Sequence, residues 1–65
     1  MLSSNLEKIM TEKEWTVRAL AEATRLAPQT IMRARGQMIG RCTLDTLANI
    51  AGALGCRVKD LFKEA

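Results

Sequence analysis

Residues 16–35 read TVRALAEATRLAPQTIMRAR and contain two helix starts only eleven positions apart. Thr16 is a good N-cap, and Trp15 before it can staple onto Leu20, four positions into the helix. Leu20, Ala21 and Thr24 then face inward with Val17, which predicts a short helix over about 17–24. Pro28 marks the second start, because its missing amide hydrogen would be unpaired at the first helical position anyway. A helix over about 28–35 puts Ile31 and Ala34 inside and Gln29, Thr30 and Arg33 outside. So short a connection forces the helices to cross steeply. Ala21 leaves room where the backbones approach, and Leu20, Leu26 and Ile31 fill the wedge between them.

The flanks continue the helical pattern. Upstream, Ser4-Asn5-Leu6-Glu7 reads as a capping box that opens a helix over about 5–13, with Leu6, Ile9 and Met10 on one apolar face. Downstream, Gly36 is expected to end the second short helix in a left-handed turn, and residues 36–42 form a loop. Thr43 caps a helix over about 44–54, where Leu44, Leu47, Ile50, Ala51 and Leu54 recur at three- and four-residue steps up to Gly55. A last short helix over about 58–64 presents Val58, Leu61 and Phe62. No linker or repeat divides the chain. The expectation is one all-α, five-helix domain spanning 1–65.

With 65 residues, such a domain lies near the lower size limit for folding alone. Its core must be aliphatic, since Trp15 and Phe62 are the only aromatics. There is no histidine, and Cys42 and Cys56 stand far apart, so neither a zinc site nor a disulfide framework is expected. No cofactor is expected either. The first residues lack the apolar run of a signal peptide, and no stretch approaches a membrane span. Two unpaired cysteines suit a reducing compartment, which points to a cytoplasmic protein.

The net charge of +3 is unevenly placed. Residues 16–41 carry Arg18, Arg25, Arg33, Arg35 and Arg41 against Glu22 alone, whereas both flanks are near neutral. Arginine's rigid fork suits phosphates and guanine edges better than the point charge of lysine. Taken alone, this charge is explained more simply by a solvated basic face.

Thr16, Leu20-Ala21, Leu26 and Gln29-Thr30-Ile31 together resemble the helix-turn-helix of the lambda-repressor and Cro-like (XRE-type) transcriptional regulators. The resemblance continues through TLDTLANIAGAL (Thr43–Leu54) and Asp60-Leu61-Phe62, so it covers nearly the whole chain. It implies a compact lambda-repressor-like fold that binds double-stranded DNA, with the helix from Pro28 in the major groove. It further implies a homodimer on an inverted repeat and a repressor-like regulatory output.

Carried onto this sequence, the resemblance places Ala27, Pro28, Gln29, Thr30 and Arg33 at the bases. Gln29 can pair with adenine and Arg33 with guanine. Thr16, Val17, Gln37 and Arg41 are expected at phosphates, Val17 through its amide at a helix start, and Arg35 joins them as a phosphate candidate at a position that departs from the family pattern. Four positions depart from the family pattern. Arg25 stands where the turn often has glycine, and Pro28 where many members read a base with glutamine. Val17 lacks the side-chain amide often used on phosphate. Met10 and Arg35 stand where some relatives pair an arginine with a glutamate, which would leave Arg35 free to reach DNA.

Other residues have plainer readings. Arg18 and Arg25 read as solvated charges, Trp15 as core cover, Met10 and Met32 as gap-fillers, and the cysteines as small hydrophobes. Met38 and Ile39, two apolar residues in a loop, suggest core closure, with a subunit contact as the alternative. An enzyme is set aside: neither cysteine has a visible base partner, and so small a domain has little room for a pocket binding a small molecule. A protein-interaction module, such as an antitoxin or co-regulator, is the alternative function on the same fold.

Overall fold

The computed structural model describes residues 2–64, leaving Met1 and Ala65 outside the description. Its elements are β1 (Leu2–Ser4), α1 (Leu6–Glu12), α2 (Val17–Thr24), α3 (Pro28–Arg35), α4 (Leu44–Leu54) and β2 (Phe62–Glu64). Two 3-10 turns, Gln37–Arg41 and Val58–Asp60, lie before and after α4. No helix among the described residues is long and apolar enough to cross a membrane.

Both caps read from threonines form as expected. The Thr16 hydroxyl accepts the Ala19 amide at 3.0 Å, and that of Thr43 accepts the Thr46 amide at 3.1 Å. Pro28 opens α3, and Gly55 closes α4 in the left-handed region at φ 72°. Leu6, Met10, Leu20, Ile31, Ala34, Ile39, Leu47, Ile50, Ala51, Leu54 and Leu61 join Ala21 in one buried cluster. Trp15, Val17 and Leu26 pack against it from the side. Burying each large aliphatic side chain contributes about 1.5–3 kcal/mol against the chain entropy. This cluster is therefore what holds α2 and α3 at their crossing.

The fifth helix does not form. Residues 58–64 divide into a single 3-10 turn and β2, which pairs antiparallel with β1 in the register Leu2↔Glu64, Ser3↔Lys63, Ser4↔Phe62. One turn is too short to sustain an α-helix by itself. Asp60 instead accepts the Arg57 amide at 3.1 Å, and the chain beyond Leu61 finds a strand partner at the other end of the sequence. The fold is thus four helices, 3-10 turns and a small two-stranded ribbon among the described residues.

That ribbon also displaces the capping box. Asn5, at φ −102° and ψ 1°, is the N-cap of α1 and makes no side-chain cap bond. The Ser4 hydroxyl accepts the Leu6 amide at 3.2 Å and donates to the carbonyl of Ala34 on α3. Gly36 likewise differs from expectation. It is extended, at φ −114° and ψ −159°, and leads directly into the 3-10 turn rather than into a left-handed one. In that turn Ile39 enters the core while Met38 stays 42% exposed. Leu44, counted with the apolar repeat, is 72% exposed, because the first position of α4 lies beyond the edge of the core.

Candidate nucleic-acid interface

α2 and α3 are joined by a turn of three residues, 25–27. Arg25 ends α2 at φ 61° and ψ 25°, the left-handed conformation in which a side chain costs about 1 kcal/mol. Thr24 and Asn49 hold the chain there. Thr24 is buried, its hydroxyl donates to the Leu20 carbonyl at 2.7 Å, and it accepts the Leu26 amide at 3.3 Å. Asn49 of α4 donates its side-chain amide to the Thr24 carbonyl at 2.9 Å. The turn is thereby fixed to α4 as well as to its own helices.

α3 turns Ile31 and Ala34 into the core and leaves Pro28, Gln29, Met32 and Arg33 exposed, with Thr30 half-buried. Gln29 and Arg33 are four residues apart and so share one strip of the helix surface. Ala27, its N-cap, is exposed and offers no side-chain cap bond. Met32 is 56% exposed, so it is no gap-filler, in contrast to Met10 in the core.

Beyond α3, the side chains of Thr30, Arg33, Met38, Arg41 and Cys42 line one cleft of about 320 Å³. The ion pairs among the described residues are Arg18–Glu22 at 3.6 Å and Arg35–Glu7 at 3.3 Å. Arg33 and Arg41 thus flank the cleft without a carboxylate partner among those residues. Gln37 is exposed at the start of the 3-10 turn. On the other side, Thr16 spends its hydroxyl on Ala19, which leaves the amides of Val17 and Arg18 as unpaired donors of the first helical turn.

Arg35 is not free as expected. Its guanidinium reaches α1, with Nη2 on Glu7, while Nε is buried without a hydrogen-bond partner. Nη1 approaches the Met32 sulfur at 3.9 Å. The structure therefore brings Thr30, Arg33 and Arg41 to one cleft, keeps Gln29 on the same strip of α3 as Arg33, and directs Arg35 to the far side of the helix. Asn49 was not singled out in the sequence, and Ser4 and Glu7 were read there only as a local capping box, because their bonds to the Thr24 carbonyl, Ala34 and Arg35 join groups distant in the chain.

Elsewhere, burial pushes the Cys56 thiol above its ordinary value; the charge of Asp60 adds to this and Lys13 opposes it. No group of three or more metal-ligating side chains occurs among the described residues.

Two short helices joined by a fixed turn, the second projecting its polar face, define a helix-turn-helix domain. Residues 5–63 match the family described as the Cro/C1-type HTH DNA-binding domain, and the chain belongs to that family. It is a DNA-binding and non-catalytic family. No curated protein matches the chain significantly.

Proposed function

We propose that this chain reads a specific sequence in double-stranded DNA as a repressor-like transcriptional regulator, with α3 in the major groove. The observation that carries this reading is the pairing of Gln29 and Arg33 on the exposed strip of α3, free of any acid on that helix. A glutamine amide matches the N6 and N7 positions of adenine, and a guanidinium matches O6 and N7 of guanine. Ala27, Pro28 and Thr30 border those contacts. The Val17 amide at the Thr16 cap, with Gln37 and Arg41, meets the flanking phosphates. Arg35 serves by holding α3 against α1 and leaves the phosphates to the others.

A homodimer on an inverted repeat follows from the same reading. Leu44, 72% exposed at the start of α4, supports a contact with a second copy, together with Met38. Ile39 is buried and takes no part.

Selection from a random duplex pool at near-physiological salt tests both claims. Recovery of an inverted repeat with half-sites about 10 base pairs apart supports them together. A single unpaired motif removes the dimer and keeps the DNA reading. Recovery of no motif, with only salt-labile binding, removes sequence-specific reading.

A further inference from the structure

The exposed surface of α3 is divided lengthwise. One strip holds Gln29 and Arg33; the adjacent strip holds Pro28 and Met32, again four residues apart and both exposed. Met32 is among the most exposed large apolar side chains of the described residues, at 56%. Its one polar contact is the sulfur's weak approach to Arg35, which steadies the middle of the side chain. The core has no use for it, since Ile31 and Ala34 already fill the inner face of the helix.

We infer that Pro28 and Met32 form an apolar reader of thymine 5-methyl groups beside the polar strip that reads purine edges. The inference rests on α3 being the helix in the major groove. In that groove the methyl of thymine is the apolar feature of a base edge, and it is recognised by apolar contact rather than by hydrogen bonding. A methionine suits the task, being unbranched and able to settle against a methyl whose position is set by other contacts. Charge chooses the occupant. Arg33 occupies the last turn of α3 and Arg41 lies across the cleft, neither paired with a carboxylate among the described residues and with no acid on the helix. Two copies meeting through this face would oppose their cations, whereas a polyanion would neutralise them.

The operator half-site should carry thymines on the side of the helix that Pro28 and Met32 face. A cytosine at those places presents an amino group and no methyl, so it should be selected against.

The experiment uses the duplex recovered by selection, with each thymidine replaced in turn by deoxyuridine, which removes one methyl and nothing else. Dissociation constants are measured for the unaltered protein and for Met32→Gln, whose helix content is checked by circular dichroism. Removing a methyl that is buried in the complex should weaken binding about fourfold at one or two thymines. At those same positions Met32→Gln should show a change of less than about 1.5-fold, while its response to guanine changes opposite Arg33 stays intact. Equal binding to every deoxyuridine duplex overturns the inference and leaves the DNA reading standing. Unchanged methyl sensitivity in Met32→Gln overturns it too. So does loss of self-association by that variant without loss of methyl sensitivity, which would assign Met32 to a subunit contact. Failure of the unaltered protein to bind any duplex is the distinct outcome that removes the underlying reading.

Discussion

Arg35 at the end of α3 lies 3.3 Å from Glu7 near the start of α1, a pair that ties the end of α3 to its neighbour α1. Its two side chains are 26% and 66% exposed, so solvent screens their attraction. Glu7→Gln should therefore lower stability by no more than about 1 kcal/mol in urea unfolding. Arg35→Glu should cost more, because it places two carboxylates together. The exchange Glu7→Arg with Arg35→Glu should recover most of that loss, and a double-mutant cycle showing no coupling would remove the pair from the account.

Arg33 and Arg41 flank the same cleft but should behave differently. Arg33→Ala should cost about 1–3 kcal/mol in DNA affinity and relax one base preference. Arg41→Ala should weaken binding to all sequences alike and reduce the slope of affinity against salt by about one. Binding isotherms across a salt series distinguish the two patterns. Identical behaviour would make both arginines phosphate contacts.

Arg25 adopts φ 61° in the turn between α2 and α3. Glycine takes that conformation without a side-chain penalty, although it has more freedom to lose on folding. Arg25→Gly should stabilise the domain by up to about 1 kcal/mol, and Arg25→Val should destabilise it by more than that. Thermal melts of the two variants check the sign of each change.

Asn49→Ala removes the donor to the Thr24 carbonyl. The loss should be about 1 kcal/mol of stability, a typical value for one hydrogen bond. DNA affinity should fall with it, since the turn loses its tie to α4. Amide exchange at Leu26 and in the first turn of α3 should quicken in this variant. Unchanged exchange there would show that the turn holds without α4.

Cys56 is raised above its ordinary value, mainly by burial and then by Asp60. It should thus carry less thiolate near neutral pH than a free cysteine and alkylate more slowly. As pH rises through the ordinary thiol range its rate should lag behind a model thiol and catch up only above it. Asp60→Asn should shift the onset of reaction to lower pH. Rates equal to those of a free thiol throughout would contradict that environment.

Where a local rule governs, the fold was readable in the chain. Thr16, Pro28, Thr43 and Gly55 each act through bonds or torsions within a few residues, and each stands where its chemistry put it. The core strip of α4 was legible from Leu47 onward for the same reason, while Leu44 kept the spacing and lay outside the apolar cluster. What could not be read was non-local. Ser4 fitted a capping box on paper, but strand pairing with Phe62 and the Ala34 carbonyl claimed it instead. Residues 58–64 carried a helical pattern too short to prevail over a partner strand. On α3, Gln29 and Arg33 were placed outward from periodicity alone, and both are exposed. The restraint on Arg35 needed the distance between two helices, which no spacing rule contains.

The ribbon of β1 and β2 has a consequence for how motion spreads. Its pairs join Leu2 to Glu64, close to the largest sequence separation the chain permits, whereas most helical hydrogen bonds close over four residues. Such a contact repays its loop-closure entropy last, so the ribbon should be the latest part to form and the first to open. Ser4 sits inside it and also holds the Ala34 carbonyl, one residue from the end of α3. Each opening of the ribbon should therefore loosen α3 at its inner end, so two strands far apart in sequence would set the stiffness of the helix surface between them.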